Sequence, residues 1–252
     1  MSGIELRSAG STDRGQIRKV NEDDYLIDEN LALFAVADGL GGHGSGNVAS
    51  SLAIETLQEE MQHELQPLKQ SNSTDVSLYN NAISHAVRTV NKTIYDRNKK
   101  KGFSDGTGMG TTLVGICFVG NNETFISFNI GDSRLYRSIN GTLEQPTTDH
   151  SLLQEWYDMG QPGEAPAANL LKRAVGLFPD ATADLITHTT RPNELLVLCS
   201  DGLTAMVDDE FIGNTLESLN GDDPDNICSN LINTANSKGG QDNITVVTVK
   251  AT

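Results

Sequence analysis

The chain has 252 residues, enough to bury a full hydrophobic core as one large domain or two small ones. Its 34 Asp and Glu residues outnumber its 18 Lys and Arg residues and give a net charge of −16, which argues against nucleic-acid partners because the phosphate backbone needs a basic surface. Solubility explains most of this acidity. The remainder fits a site where clustered carboxylates would repel one another unless cations lay among them.

The cysteines and the hydropathy pattern indicate the cellular compartment. Cys117, Cys199 and Cys228 lie beside apolar residues and form no CxxC pair, which predicts buried, reduced thiols in a cytoplasmic protein. The N-terminal residues lack a hydrophobic signal core, and no apolar run approaches the length of about 20 residues that spans a membrane. We therefore expect a soluble, intracellular protein with no membrane partner.

The first predicted strand, residues 31–37, leads into Asp38 and a glycine-rich segment, residues 39–46. Glycines allow the backbone to approach a ligand closely, but neither the GxxxxGK[ST] nor the GxGxxG spacing is present, which argues against a nucleotide cradle. On its own, the segment is equally typical of a turn between a strand and a helix.

Two long helices are predicted next, because apolar residues recur at helical spacing. These residues are Ala49, Ala53, Leu57, Met61 and Leu65 in the first helix, and Ile83, Val87, Val90 and Ile94 in the second. A polar connection, residues 66–74, joins the two, so we expect an antiparallel helix pair.

The rest of the chain alternates predicted hairpins with predicted helices. Strands are predicted at 112–119, 124–130, 134–139, 194–200 and 243–250, and helices at 151–159, 209–219 and 225–237. This order predicts an α+β fold, a four-layer α-β-β-α sandwich in which helix pairs flank two mostly antiparallel sheets. No linker divides the chain, and the candidate site residues extend from Arg18 to Asn243. We therefore predict a single domain over residues 1–252, with a loop or flap at about 158–169.

Aspartates stand where strand-like runs meet turns, at Asp23, Asp38, Asp132, Asp201 and Asp242. Carboxylate oxygens in a chain with few histidines suit Mg²⁺ or Mn²⁺ better than Zn²⁺. Calcium remains open by ligand type, although no EF-hand loop is present.

Seven motifs in chain order carry a family resemblance. They are Arg18–Asp23, Ala37–His43, Met109–Thr112, Gly131–Tyr136, Asp149–Ser151, Cys199–Leu203 and Asp242–Thr245. Together they resemble the motif series of the metal-dependent serine/threonine protein phosphatase family, type 2C, in its bacterial form. The resemblance extends from about residue 8 to residue 249, and it implies a central β-sandwich flanked by helices.

The resemblance implies a set of metal ligands, with Mn²⁺ or Mg²⁺ as the cofactor. Asp38 resembles the carboxylate that bridges two core ions, and the Gly39 carbonyl would bind one of them. Asp201 and Asp242 would bind the second ion. Asp132 resembles a ligand to a third ion shared with Asp201; the alternative is a turn aspartate that pairs with Arg134.

Other residues resemble those that bind the substrate or support the ligands. Arg18 resembles the arginine that grips the phosphoryl group. Glu22 and Asp23 resemble residues that hold metal-bound waters, and the Asn243 amide would steady a ligand or a water. His43 is the candidate general acid for the leaving oxygen, although a histidine in a glycine loop is as often only a surface residue.

The implied function is hydrolysis of phosphoserine and phosphothreonine on proteins, by in-line attack of a hydroxide that bridges two metal ions. The expected partners are phosphorylated substrates of a serine/threonine kinase in bacterial signal transduction, and the expected state is a monomer. Two alternatives stay open: a catalytically silent phosphoprotein-binding scaffold, and a phosphatase of an anti-sigma-type regulatory switch protein. The chain departs from the family pattern at residues 158–169, where bacterial members usually carry a longer helical flap.

Overall fold

The computed structural model describes residues 4–41, 45–221 and 223–252. Within these ranges the strands are β1 (Leu6–Asp13), β2 (Asp23–Asp28), β3 (Leu33–Leu40), β4 (Gly110–Thr111), β5 (Leu113–Val119), β6 (Thr124–Ile130), β7 (Arg134–Ile139), β8 (Thr142–Glu144), β9 (Asp184–Thr189), β10 (Leu195–Cys199) and β11 (Ile244–Ala251). The helices are α1 (Gly46–Gln70), α2 (Val76–Lys100), α3 (Leu152–Asp158), α4 (Asp201–Thr204), α5 (Asp209–Ser218) and α6 (Pro224–Ser237).

The strands form two antiparallel sheets. The first sheet has the order β1-β11-β10-β7-β8, and the second has the order β2-β3-β5-β6-β9, with β4 paired to the end of β3. In the second sheet, Asp23 on β2 lies directly opposite Asp38 on β3. The pairing of neighbouring strands thus brings two of the predicted site carboxylates together.

The side chains of β10 show how the layers pack. Leu195, Val197 and Cys199 face a cluster that includes α5 and α6, whereas Leu196 and Leu198 pack into a cluster between the two sheets. This alternation follows from the two-residue period of a strand. Helices α1 and α2 pack on the outer face of the second sheet. The layers therefore run α-β-β-α, and the fold prediction is confirmed.

Both long helices form as predicted, but α1 is longer than expected. The prediction that the connection begins at residue 66 is wrong, because the helix continues through Pro67 to Gln70. Pro67 lacks an N–H, but it lies in the last turn, and its carbonyl still accepts a hydrogen bond from the Ser71 N–H at 3.1 Å. The connection between the helices is therefore residues 71–75.

The strands predicted from the sequence do not include β1, β2, β4, β8 or β9, and β1 and β9 show why. β1 contains few apolar residues, and β9 is the edge strand of the second sheet and half exposed. β1 is fixed by pairing with β11, more than 230 residues away, as in the pair Thr12 and Thr245. Local periodicity contains no signal for such a pairing.

The helix predicted at 151–159 forms, but the expectation that it supplies a helical layer is wrong. α3 contains no buried residue, and the segment after it is largely exposed. It therefore lies outside the packed layers.

The predicted burial of the three cysteines is confirmed, and all three carry free thiols. Among the described residues, no helix combines the length and apolarity needed to cross a bilayer.

Candidate active site

A cavity of about 220 Å³ is lined by the end of β3 in the second sheet and by residues beside strands of the first sheet. Its lining residues are Arg18, Glu22, Asp38, Gly39, Leu40, Gly41, Thr112, Asp132, Asn169, Leu171, Asp201, Asp242 and Asn243. All five residues predicted to bind metal are in this set, as are Arg18, Glu22 and Asn243. The structure thus brings together residues that lie up to 225 positions apart in the sequence.

The backbone of Asp38 is held by two threonines. The Thr112 N–H and the Thr111 hydroxyl both donate to the Asp38 carbonyl at 2.9 Å, and the Asp38 N–H donates to the Thr112 hydroxyl at 3.0 Å. Desolvation of the half-buried carboxyl, followed by repulsion from Asp23 and Asp201, raises the pKa of Asp38 well above its usual range. The carboxyl is therefore fixed in a crowded acidic environment.

Asp23 lies behind the cavity and does not line it. Its Oδ2 accepts hydrogen bonds from the Ser200 hydroxyl at 2.8 Å and the Thr245 hydroxyl at 2.7 Å. Its Oδ1 is buried and has no hydrogen-bond partner among the described residues. Burial raises the pKa of Asp23 to about 7, against the opposing effect of the two hydroxyl hydrogen bonds.

Asp201 and Asp242 lie beside strands of the first sheet. Asp201 is the first residue of α4, and Asp242 lies two residues before β11. A Cβ at Gly202 would lie 2.0 Å from the Asn243 carbonyl oxygen, so this close approach requires glycine. Burial and then the Asp242 charge raise the pKa of Asp201. The Arg18 Nη2 contacts the Asp242 Oδ2 at 2.5 Å.

The ion pair of Arg134 bears on the two interpretations of Asp132. Its guanidinium forms a forked ion pair with Asp149, with Nε to Oδ1 at 3.0 Å and Nη2 to Oδ2 at 2.7 Å. The expected ion pair between Asp132 and Arg134 is therefore wrong for the described residues, and the third-ion role of Asp132 stays a prediction. Burial, followed by repulsion from Asp201 and Asp149, raises the pKa of Asp132 to about 7.

The Glu22 side chain contacts the first residue of α1. Its Oε1 accepts a hydrogen bond from the Gly46 N–H at 2.9 Å, which satisfies a donor at the helix N-terminus. Its own N–H donates to the Asn243 Oδ1 at 2.8 Å. Glu22 therefore connects the cavity to both α1 and the start of β11.

The donor set fits hard divalent cations. No three described His, Cys, Asp or Glu side chains are gathered closely enough to hold an ion as they stand. The carboxylates nevertheless share one cavity, and desolvation followed by mutual repulsion raises the pKa of Asp38, Asp132 and Asp201. Cations would relieve this repulsion, and carboxylate oxygens are the ligands that Mg²⁺ and Mn²⁺ prefer.

Some neighbours of the site were missed by the sequence analysis, and one predicted residue is not among the described residues. Asn169 and Leu171 line the cavity from the flap region, and Ser200 and Thr245 hold Asp23. Ser200 and Thr245 belong to the quoted motifs, which was the available signal, whereas Asn169 and Leu171 had none. The candidate general acid His43 lies outside the described residues.

Comparison with known proteins identifies the family. A sequence profile described as Protein phosphatase 2C matches residues 14–242, which include every residue predicted for the site except Asn243. The chain belongs to the protein phosphatase 2C family. This confirms the resemblance inferred from the seven motifs.

Individual members of the protein phosphatase 2C family resemble the chain along nearly its whole length. The serine/threonine phosphatase stp of Listeria welshimeri is 36% identical over 247 residues, covering 95% of this chain and 93% of the relative. PppA, described as a key regulatory component of T6SS in Pseudomonas aeruginosa, has a TM-score of 0.85 at 32% identity and covers 99% of both chains. The catalytic domain of the serine/threonine phosphatase PstP, solved in complex with two manganese ions, has a TM-score of 0.81 at 33% identity and covers 98% of both.

Proposed function

We propose that this protein phosphatase removes phosphate from phosphoserine and phosphothreonine in proteins, in a metal-dependent reaction at the described cavity. The observation that carries the proposal is that Asp38, Asp132, Asp201 and Asp242 line one cavity together with Arg18. The family and the serine/threonine phosphatases among its similar members support it.

Asp38, the Gly39 carbonyl, Asp201 and Asp242 would hold two Mn²⁺ or Mg²⁺ ions. Ions bound there supply Lewis-acid activation of water and neutralise charge on the phosphoryl oxygens. The two manganese ions in the similar PstP catalytic domain support manganese as the cofactor. Asp132, directed into the same cavity and crowded by Asp201, is proposed as a ligand to a third ion.

Arg18 is proposed to orient the phosphoryl group. Its side chain is 50% exposed and reaches the cavity edge, where it pairs with Asp242. A guanidinium presents parallel N–H donors that match two phosphoryl oxygens. Arg18 can therefore exchange its carboxylate partner for a phosphate without leaving the cavity edge.

The remaining site residues are proposed to act on water and protons. Glu22 and Asp23 would hold waters at the ions. The Asp23 Oδ1 has no partner among the described residues and could accept a hydrogen bond from such a water. His43 would donate the proton that the seryl or threonyl oxygen needs on leaving, an assignment based on its sequence position.

The proposal extends to the cellular setting. A cytoplasmic, monomeric, single-domain phosphatase acting in bacterial signal transduction would oppose a serine/threonine kinase. A silent scaffold is not favoured, because phosphoprotein binding alone has no use for several buried carboxylates that repel one another. The alternative of a phosphatase that acts on an anti-sigma-type regulatory switch protein differs only in its substrate, so identifying the physiological substrate would distinguish it.

The function is tested by hydrolysis of a phosphothreonine peptide. Turnover should require Mn²⁺, disappear with excess chelator and return when Mn²⁺ is restored. Asp38→Asn removes one ligand charge with little change in size, and kcat should fall by a factor on the order of 10³. Asp96→Asn, an exposed change on α2, is the matched control. Full turnover in chelated buffer, or an unimpaired Asp38→Asn enzyme, would contradict the proposal.

The same assay examines the third ion. Asp132→Ala should lose most of its turnover while calorimetric titration still detects two bound Mn²⁺ ions per chain. If Asp132→Ala turns over normally, the third-ion role is wrong and the two-ion proposal stands.

A further inference from the structure

The loop that carries Arg18 joins β1 to β2 and is residues 14–22. Both ends of this loop meet the side chain of Asn243, which is 4% exposed. The Asn243 Nδ2 donates to the Arg14 carbonyl at 2.9 Å and to the Val20 carbonyl at 3.0 Å, while its Oδ1 accepts from the Glu22 N–H at 2.8 Å. One buried amide thus closes a nine-residue loop.

The orientation of this amide is fixed by its partners. A backbone N–H can only donate and a backbone carbonyl can only accept, so the oxygen must face Glu22 and the nitrogen must face Arg14 and Val20. Both N–H groups of the amide are used on the loop. Asn243 therefore acts mainly on the loop backbone and not on a ligand in the cavity.

Apart from the ion pair of Arg18 with Asp242, few other hydrogen bonds hold the loop near Arg18. The Gln16 N–H donates to the Gly240 carbonyl at 2.8 Å, and the Gly15 N–H donates to the Asp13 Oδ1 at 2.8 Å. Both bonds are on the N-terminal side of Arg18. On its C-terminal side, the bond from Asn243 to the Val20 carbonyl is the first described hydrogen bond to the loop backbone.

We propose that Asn243 is the positioning residue for Arg18, and that it sets phosphate affinity through the loop. The inference rests on the proposed role of Arg18 in binding the phosphoryl group. Without the amide, the backbone after Arg18 is free to move, and the guanidinium must be ordered each time phosphate binds. Asn243 is not itself required to touch the substrate.

The test compares Asn243→Ala with a matched asparagine. Asn91 on α2 is 1% exposed and makes the same three types of bond, accepting from the Gly176 N–H and donating to the Phe178 and Pro179 carbonyls. Asn91→Ala therefore controls for the loss of a buried amide that makes three hydrogen bonds to the backbone. The measurements, at saturating Mn²⁺, are kcat, KM for the phosphothreonine peptide, and competitive inhibition by inorganic phosphate.

We expect Asn243→Ala to raise KM and the phosphate inhibition constant together by about threefold to tenfold, with a smaller change in kcat. Arg18→Ala should raise both by about 10- to 100-fold. The double variant should bind inorganic phosphate no more weakly than Arg18→Ala alone, because both changes remove the same interaction. Asn91→Ala should leave the phosphate inhibition constant unchanged.

The outcomes separate the two proposals. If Arg18→Ala leaves phosphate inhibition unchanged, the proposed role of Arg18 is wrong. If Arg18→Ala weakens inhibition but Asn243→Ala does not, or if the effects of the two variants multiply, the positioning role of Asn243 is wrong. Should Asn243→Ala fail to fold, Asn243→Ser, which keeps a hydroxyl at the site, takes its place.

A second measurement needs no activity. The loop contains three trypsin sites, Arg14, Arg18 and Lys19. Under native conditions, cleavage after Arg18 and Lys19 should be faster in Asn243→Ala than in the wild type and in Asn91→Ala. Equal cleavage rates in all three proteins would overturn the inference.

Discussion

At the scale of single residues, the imidazole of His150 joins three segments beside Asp132. Its Nδ1 accepts from the Gly131 N–H at 3.1 Å, so in the neutral ring the proton lies on Nε2, which donates to the Asp184 Oδ2 at 3.0 Å. The Arg173 Nη1 donates to the Asp184 Oδ1 at 2.8 Å and also lies 2.8 Å from the His150 Nε2. Although the Asp184 carboxylate favours a charged ring, burial and the Arg173 charge outweigh it and lower the pKa of His150.

This lowered pKa gives a pH dependence of stability. A neutral His150 is favoured in the folded state, so its contribution is present above the unfolded-state pKa of about 6.5 and is lost as the pH falls below that value. The lowered pKa of Asp184 acts in the same direction, but only below about pH 4. We therefore expect the stability difference between wild type and His150→Gln to shrink between pH 7.5 and pH 5.5.

Urea unfolding at the two pH values measures this difference. Taking the difference between two proteins cancels the contribution of the crowded carboxylates, whose raised pKa values act in the opposite direction. His63→Gln, which alters an exposed histidine on α1, is the control and should differ from wild type equally at both pH values. An equal difference at both pH values for His150→Gln would contradict the prediction.

At the scale of elements, the end of β3 and the start of α1 approach backbone to backbone. A Cβ at Gly39 would lie 2.2 Å from the Gly46 carbonyl oxygen, and a Cβ at Gly46 would lie 2.6 Å from the Gly39 carbonyl oxygen. The Gly39 N–H also donates to the Glu22 carbonyl at 3.1 Å. Gly39 and Gly46 are thus required by the close packing of β3 against α1, beside the proposed ligand Asp38.

We expect Gly46→Ala to push α1 away from β3, because the added methyl group meets backbone that cannot rotate aside. The free energy of unfolding should fall by about 1–3 kcal/mol, with a large loss of phosphatase turnover. Chemical denaturation and the peptide assay measure the two effects.

Gly213→Ala, in α5, is the matched control. Its added Cβ would lie 3.4 Å from the Leu143 Cβ, an ordinary contact. Helix propensity should make this variant as stable as the wild type or more stable, by up to about 1 kcal/mol. A Gly46→Ala protein with normal stability and turnover would show that the approach of α1 to β3 is not needed.

At the scale of the whole molecule, the site depends on the packing of the two sheets. Asp38 belongs to the second sheet, whereas Asp201 and Asp242 follow or precede strands of the first. The two sheets share a buried cluster that includes Phe34 and Leu198. Neither sheet alone contains the cavity, so we expect folding and assembly of the site to be one cooperative event.

Leu198→Ala tests this expectation, because its side chain is fully buried between the sheets. The variant should be less stable by about 2–5 kcal/mol and should still unfold in one transition. Far-UV and near-UV circular dichroism in urea should give coincident curves. Leu78→Ala, which changes an exposed leucine on α2, should cost much less. Two separate transitions would contradict the single-domain proposal.

Strongly periodic elements were predictable because periodicity records burial. The apolar stripes predicted α1 and α2, and the β-branched run predicted β11, since each pattern reports one face of one element. The edge strands β1 and β9 have no such face, so their pairing partners had to be known first. The sequence analysis also did not predict α4. Its four residues, which begin at Asp201 just after β10, are too few to show a helical period.

The sequence by itself determined the layered α+β fold, the family and the identity of the carboxylates, because local patterns and ordered motifs carry that information. The tertiary structure alone decided which groups contact one another: Arg134 pairs with Asp149, Glu22 meets the start of α1, and the Asn243 amide binds a loop more than 220 residues earlier. A side chain's partner depends on what folding brings near it. No pattern confined to a short stretch of chain contains that information.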